Sequence, residues 1–303
     1  MVKSVSDTGM PANIQQGKRL DVHGQQMHVI DEGPREGSLG TLVMVHGNPT
    51  WSFYYRRLIA HFSHHYRCIV PDHIGMGLSS KPDDKTYSYT LAQRISDLDS
   101  LIEQLCPEGP LTLILHDWGG MIGMGYAVRH RLRIARLVLM NTAAFRLPEG
   151  KTLPWSLSVC RTPLLGAVAV RGLNQFCLGA VRECIKSARL SPVDKARLLA
   201  PYDSWANRIA VHRFVQDIPL RPGDISYADV ISIEQGLAQF LDCPTQIFWG
   251  GQDFVFDDDF LAEWRRIWPQ AAVHRFPEAG HYVLEDAHEQ IIPLLEEFLE
   301  AGS

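Results

Sequence analysis

No C-x-x-C pair occurs among the six cysteines of this 303-residue chain, no block of lysine or arginine, and no run of 18 apolar residues. Cys68, Cys106, Cys160, Cys177, Cys184 and Cys243 lack metal-finger spacing, so they read as reduced thiols used in packing. With a formal charge of −5 and a pI near 6.2, the missing basic blocks argue against nucleic acid as the main partner and leave a small or lipid-like substrate. The first ten residues include Lys3, Ser4, Ser6 and Asp7 and lack the apolar stretch of a signal peptide. Together with the absence of a long apolar run, this leads us to expect a cytoplasmic protein without a transmembrane segment. Neither an internal repeat nor a low-complexity tract interrupts the chain.

What is present is apolar and regularly patterned. At 46% apolar residues the chain can bury a large core, and α/β folds of this size are often one domain with an insertion. Residues 19–23 and 26–30 flank Gly24 and predict an antiparallel hairpin at a sheet edge. Short apolar runs follow at 41–45, 67–70, 111–115, 136–140, 245–249 and 272–276, most of them separated by helical stretches, including 261–268 and 290–300. This alternation predicts an α/β fold: a mostly parallel, doubly wound sheet with helices on both faces and ligands at the carboxyl ends of the strands. The rhythm breaks at 145–241, an interval too long for a loop and punctuated by prolines, including Pro154, Pro163 and Pro192. We therefore expect a core domain at 18–144 and 242–300 and an inserted helical cap at 145–241. Residues 148–179, with Trp155 and Phe176, suit an apolar tunnel and a helix-packing core equally well.

Residues 111–120, LTLILHDWGG, read as a buried strand entering a sharp turn, with Asp117 where α/β-hydrolases usually carry serine. Gly119 fits the G-x-S-x-G pattern two positions on; Leu115, two positions before, does not. The competing reading is an aspartate capping the next helix. A carboxylate is ionised at neutral pH and needs no activating base. Its attack on an ester carbonyl gives an acid anhydride, whereas attack on a saturated carbon gives a stable alkyl ester. Alkyl halides, epoxides and strained lactones are the matching substrates.

Asp253 and His281 each follow another strand, giving the chain order nucleophile, acid, histidine. The acid would fix the imidazole tautomer and leave the other ring nitrogen facing Asp117. Asp257, Asp258 and Asp259 compete for the acid role, but suit a helix N-terminus better. Asp72 follows a strand in a turn-rich setting and is read as structural. Residues 46–51, HGNPTW, are placed to supply backbone donors to Asp117. The Asn48 amide and the Trp118 indole N–H add donors without competing charge, able to clamp a leaving anion.

These residues resemble the haloalkane dehalogenases, in which an aspartate, a histidine, an acid after the seventh strand and an Asn/Trp anion clamp form a catalytic pentad. The matches are Asp117, His281, Asp253, Asn48 and Trp118. Longer stretches narrow the resemblance: HGNPTWSFYYR (46–56), IVPDHIGMGLS (69–79), DWGGMIGM (117–124), YDSWANR (202–208) and FVQDIP (214–219) are similar to the β-lactone decarboxylases of bacterial long-chain olefin synthesis. The similarity covers about residues 18–300. It implies a cis-β-lactone with two long alkyl branches as substrate, a cis-alkene and carbon dioxide as products, and no cofactor or metal. It also implies thiolase-like, reductase and β-lactone synthetase partners. Haloalkane dehalogenase is the alternative activity. An epoxide hydrolase is opposed by Asn48, and a receptor that binds without turnover by the intact triad.

Overall fold

A computed structural model of the protein describes residues 17–301. Eight strands form one sheet: β1 (Lys18–Val22), β2 (Gln25–Glu32), β3 (Thr41–Val45), β4 (Arg67–Pro71), β5 (Leu111–Asp117), β6 (Ile134–Thr142), β7 (Thr245–Gly250) and β8 (Ala272–Phe276), in the order β1-β2-β4-β3-β5-β6-β7-β8. The hairpin β1–β2 sits at one edge and β2 pairs antiparallel with β4; every other pairing is parallel. The central strands are continuous apolar runs because both of their faces are covered. Alternate side chains go to opposite sides: Val43, Val45, Leu113, Leu115, Leu137 and Leu139 join one core layer, while Leu42, Met44, Ile114, Val138 and Met140 join the other.

Helices α1 (Arg56–Phe62), α2 (Leu91–Leu105) and α3 (Trp118–Arg129) lie between the early strands. In α2, Leu91, Arg94, Ile95, Leu98, Leu101 and Ile102 recur at helical spacing on the buried side, and the Thr90 hydroxyl caps the start by accepting from the Gln93 amide. Between β6 and β7 the chain makes a long excursion through α4 (Trp155–Arg161), α5 (Pro163–Gly166), π-helical turns at Ala167–Gly172, α6 (Gln175–Glu183), α7 (Pro192–Leu199), α8 (Ile209–Gln216) and α9 (Tyr227–Gly236). Its ends meet, since Leu137 pairs with Thr245 and Met140 with Phe248. Helices α10 (Asp258–Ile267) and α11 (Val283–Glu300) complete the fold. α11 begins seven positions before the expected 290, because the segment after His281 turns straight into helix; its Ala287 has non-helical dihedrals and Pro293 lies inside it.

The parallel strands end on one side of the sheet. His46 after β3, Asp117 at the tip of β5, Asn141 near the tip of β6, Asp253 after β7 and His281 after β8 are thereby gathered from 236 positions of sequence into one neighbourhood.

Candidate active site

Asp117 is the last residue of β5, and Trp118 is already helical. So abrupt a change needs an unusual backbone: Asp117 has φ 53° and ψ −127°. Such a conformation carries strain for a residue with a side chain, and lifts that side chain off the sheet. The helix can start this close only because Gly119 has no side chain; a Cβ there would lie 2.0 Å from the Val45 carbonyl oxygen. Leu115, the departure from the usual motif, is accommodated one helical turn further on. Its methyl groups fill the space in which a Cβ on Gly123 would stand, at 2.3 Å.

The Asp117 side chain makes no helix-capping hydrogen bond. Its Oδ1 accepts the Asn48 backbone N–H at 2.7 Å, and the Trp118 backbone N–H also donates to the carboxylate. Its Oδ2 lies 3.4 Å from Nε2 of His281. Burial acts to raise the pKa of Asp117, but the hydrogen bond and charge of His281, helped by these N–H groups, hold it below the usual carboxylate value. The group is therefore an ionised, dehydrated carboxylate with two backbone donors beside it, the state that nucleophilic attack requires.

His281 donates from Nδ1 to Oδ2 of Asp253 at 2.7 Å. Burial opposes its charge, yet the carboxylates of Asp253 and Asp117 on either side push its pKa up to about 10. At neutral pH the ring is an imidazolium between two anions. Asp253 is itself held in place: Oδ1 accepts from the Val255 amide at 2.7 Å and Oδ2 from the Asn141 side chain at 3.0 Å. The rival acids lie elsewhere. Asp257 caps α10 through the Asp259 amide, Asp258 pairs with Arg275, and Asp259 with Lys151. Asp72 is fully buried and accepts from the Ser52 and Leu78 amides and from His28.

Asn48 and Trp118 both line the cavity over Asp117. The Asn48 amide nitrogen donates to the Val211 carbonyl at 3.1 Å, so one of its two N–H bonds ties the loop to α8 and only the other is free for a ligand. Trp118 packs against Phe214, with ring centroids 5.2 Å apart.

Three residues of this neighbourhood were not singled out from the sequence. Asn141, with φ 35°, brackets Gly250 by donating to its carbonyl and accepting from its amide, as well as holding Asp253. His116 donates from Nε2 to the His281 carbonyl at 2.9 Å, and burial followed by the His281 charge lowers its pKa to about 3, so it stays neutral. Phe256 stacks on the His281 ring at 5.8 Å. An asparagine or aspartate at a strand end, where left-handed backbone is tolerated, was the one available signal for Asn141.

A cavity of about 510 Å³ opens above these groups, with Asp117 and His281 in its wall. The rest of the lining is largely apolar and comes mostly from the excursion and the loop after β7, including Leu157, Phe176, Val215, Ile218 and Phe254. A carboxylate nucleophile, an imidazolium and fixed N–H donors under such a cavity can form and release a carbon–oxygen bond to an apolar electrophile while stabilising a displaced anion. Among the described residues no cluster of histidine, cysteine and acidic side chains has the arrangement of a metal site.

Residues 40–288 match the family model described as alpha/beta hydrolase fold. A cis-3-alkyl-4-alkyloxetan-2-one decarboxylase from Shewanella oneidensis is 51% identical over 280 residues, covering 92% of this chain and 87% of the relative. A protein of the same description from Xanthomonas campestris is 48% identical, covering 93% of this chain and 95% of its own. Among solved structures, the haloalkane dehalogenase DatA of Agrobacterium tumefaciens superposes with a TM-score of 0.82 at 24% identity, over 94% of this chain and 96% of the other, a likeness of fold.

Proposed function

The chain belongs to the α/β-hydrolase fold family, together with the cis-3-alkyl-4-alkyloxetan-2-one decarboxylases described above, and we propose that it decarboxylates a cis-β-lactone with two long alkyl branches. The products are a cis-alkene and carbon dioxide. The observation that carries the chemistry is Asp117, a buried ionised carboxylate in the wall of an apolar cavity and in contact with a protonated imidazole.

Asp117 attacks the ring carbon that bears the lactone oxygen. The carbon–oxygen ring bond breaks, its electron pair stays on oxygen, and an alkyl ester of Asp117 is left beside a free carboxylate. The carbon–carbon bond to that carboxylate then breaks; its electrons form the alkene and expel Asp117 from the opposite face as carbon dioxide departs. Inversion followed by anti elimination yields the cis-alkene. Attack at the lactone carbonyl, through an anhydride, is the competing route. No water and no net proton enter the first sequence. His281, Asn48 and Trp118 stabilise the carboxylates as charge moves between them, and Asp253 orients His281. In haloalkane dehalogenation, by contrast, the histidine must take a proton from water.

Residues 145–241 serve in this reading as a cap that shields the reaction and receives the alkyl branches. The substrate has to be supplied by a lactone-forming synthetase acting after thiolase-like and reductase enzymes, with which we place this chain in the cytoplasm. The test is gas chromatography of products from a synthetic cis-3,4-dialkyl-oxetan-2-one, with a bromoalkane run in parallel. Alkene from the lactone is expected; halide release without alkene would replace this reading by haloalkane dehalogenation.

A further inference from the structure

The outward side of the excursion differs from an ordinary protein surface. Along α4, α5 and the π-helical turns after them, Trp155, Val159, Leu164, Leu165 and Val168 are all exposed, Leu164 at 82% and Trp155 at 80%. Single exposed apolar side chains need no explanation, but a group of them on consecutive, mutually packed helices does. The inward residues of the same helices, Leu157, Gly166 and Val170, are buried, so the core already has its share.

Two further observations indicate what covers this face. The first is charge. Residues 150–190 hold six cations and one anion, Glu183, in a chain whose formal charge is −5. Lys151 and Arg161 pair with acids outside the segment and Arg182 pairs with Glu183, but Arg171, which lies over the Trp205 ring and donates to its carbonyl, and Lys186 and Arg189 make no ion pair among the described residues. The second is continuity, because Trp155 and Val159 also line the reaction cavity, so the apolar face reaches its rim. Among the described residues no single helix is long and apolar enough to cross a bilayer; Pro163–Gly172 and Gln175–Glu183 reach that apolarity only as a pair bent by 67°. Short apolar helices in a cation-rich segment fit a position on a lipid surface.

We propose that this face rests on an anionic phospholipid bilayer, with Leu164, Leu165 and Val168 in the acyl boundary and Arg171, Lys186 and Arg189 against headgroup phosphates. The two-tailed substrate then moves from the bilayer into the cavity without crossing water. That purpose rests on the lipid-like substrate proposed above; the docking itself is tested without substrate.

The experiment is co-sedimentation of the full chain with vesicles of phosphatidylcholine, with and without phosphatidylglycerol. The unaltered chain is expected to pellet with phosphatidylglycerol vesicles and to be released by high salt. The double variant Leu164→Glu/Leu165→Glu, outside the cavity lining, should bind at least about tenfold more weakly. Its thermal melt and its turnover of a short-chain β-lactone in solution should be unchanged. A chain that stays in the supernatant, or a double variant that binds equally well, overturns the proposal. Self-association lost in the double variant, with no vesicle binding by either protein, also overturns it and assigns the face to a second copy. Vesicle binding without alkene formation would leave the docking standing and remove the proposed reaction.

Discussion

At the scale of single residues the site depends on backbone that most side chains avoid. Asp117 and Asn141 have φ of 53° and 35°, and each is locked by partners far away in sequence: Asn48 for the first, Gly250 and Asp253 for the second. Asp117→Ala should abolish turnover, because no other nucleophile stands at the turn, while circular dichroism and solubility match the unaltered chain. Turnover retained by this variant would remove the proposed chemistry. Asn141→Leu removes a hydrogen bond to a charged group, an interaction of about 1.5–3 kcal/mol, so kcat should fall at least about tenfold with KM little changed. Its alkaline pH limb should also shift, since the imidazole's acid partner is no longer fixed; an unaltered kcat and pH profile would reduce Asn141 to a structural role. Asp117, Asp253 and His281 were visible in the sequence because each follows an apolar run of strand length. Asn141, His116 and Phe256 were not, since their importance arises from neighbours that only the folded sheet supplies.

Elements come next, and here the sequence was legible wherever one residue decides. The runs at β3 to β7 were visible as short apolar segments because a strand covered on both faces needs no polar alternation, whereas β8 at the sheet edge buries only Phe276 and shows the pattern least. Pro163 and Pro192 occupy the first helical positions of α5 and α7, where proline's missing N–H has no consequence. The start of α11 was missed because what fastens it is tertiary. Glu285, in its first turn, is buried and accepts a two-pronged hydrogen bond from Arg56 of α1 at 2.5 and 2.8 Å, with Arg57 adding a third contact. Burial works against the Glu285 charge, and the two guanidinium groups more than compensate, holding its pKa below the usual value. Glu285→Ala takes away both short hydrogen bonds of the buried Arg56 and leaves it one ion pair, with Asp194 at 3.6 Å, a loss of up to about 3–5 kcal/mol. The expected outcome is a clear drop in the midpoint of urea unfolding; an unchanged midpoint would mean that α1 and α11 are held by their apolar contacts alone.

For the whole molecule, the buried histidines set the pH at which the fold is most stable. His281 is raised to about 10 from the ordinary 6.5, so its contribution is complete below 6.5 and is lost as pH rises through 10. His46, His73 and His116 are shifted the other way, chiefly by burial, and stay neutral in the fold. Once unfolded they take up protons below 6.5, so stability declines as pH falls past that value. Thermal midpoints should therefore peak near pH 6.5, with His281→Asn flattening the alkaline side; an optimum above pH 9 would contradict this account. Patterning along the chain foretold a doubly wound sheet but not the strand order, because spatial neighbours such as β3 and β5 are separated by most of two crossovers. The excursion between β6 and β7 was seen as an interruption, whereas the exposed apolar side chains on its helices were not, since a hydrophobic residue looks the same in sequence whether it faces in or out.

The two ends of that excursion lie on neighbouring strands, and Asp117, Asn141, Asp253 and His281 all lie outside it. On the proposed function, a graft of different length or shape between β6 and β7 would re-specify which molecule is admitted and leave the reacting carboxylate and imidazole in place, so long as the new roof again offers what Val211 and Phe214 give Asn48 and Trp118.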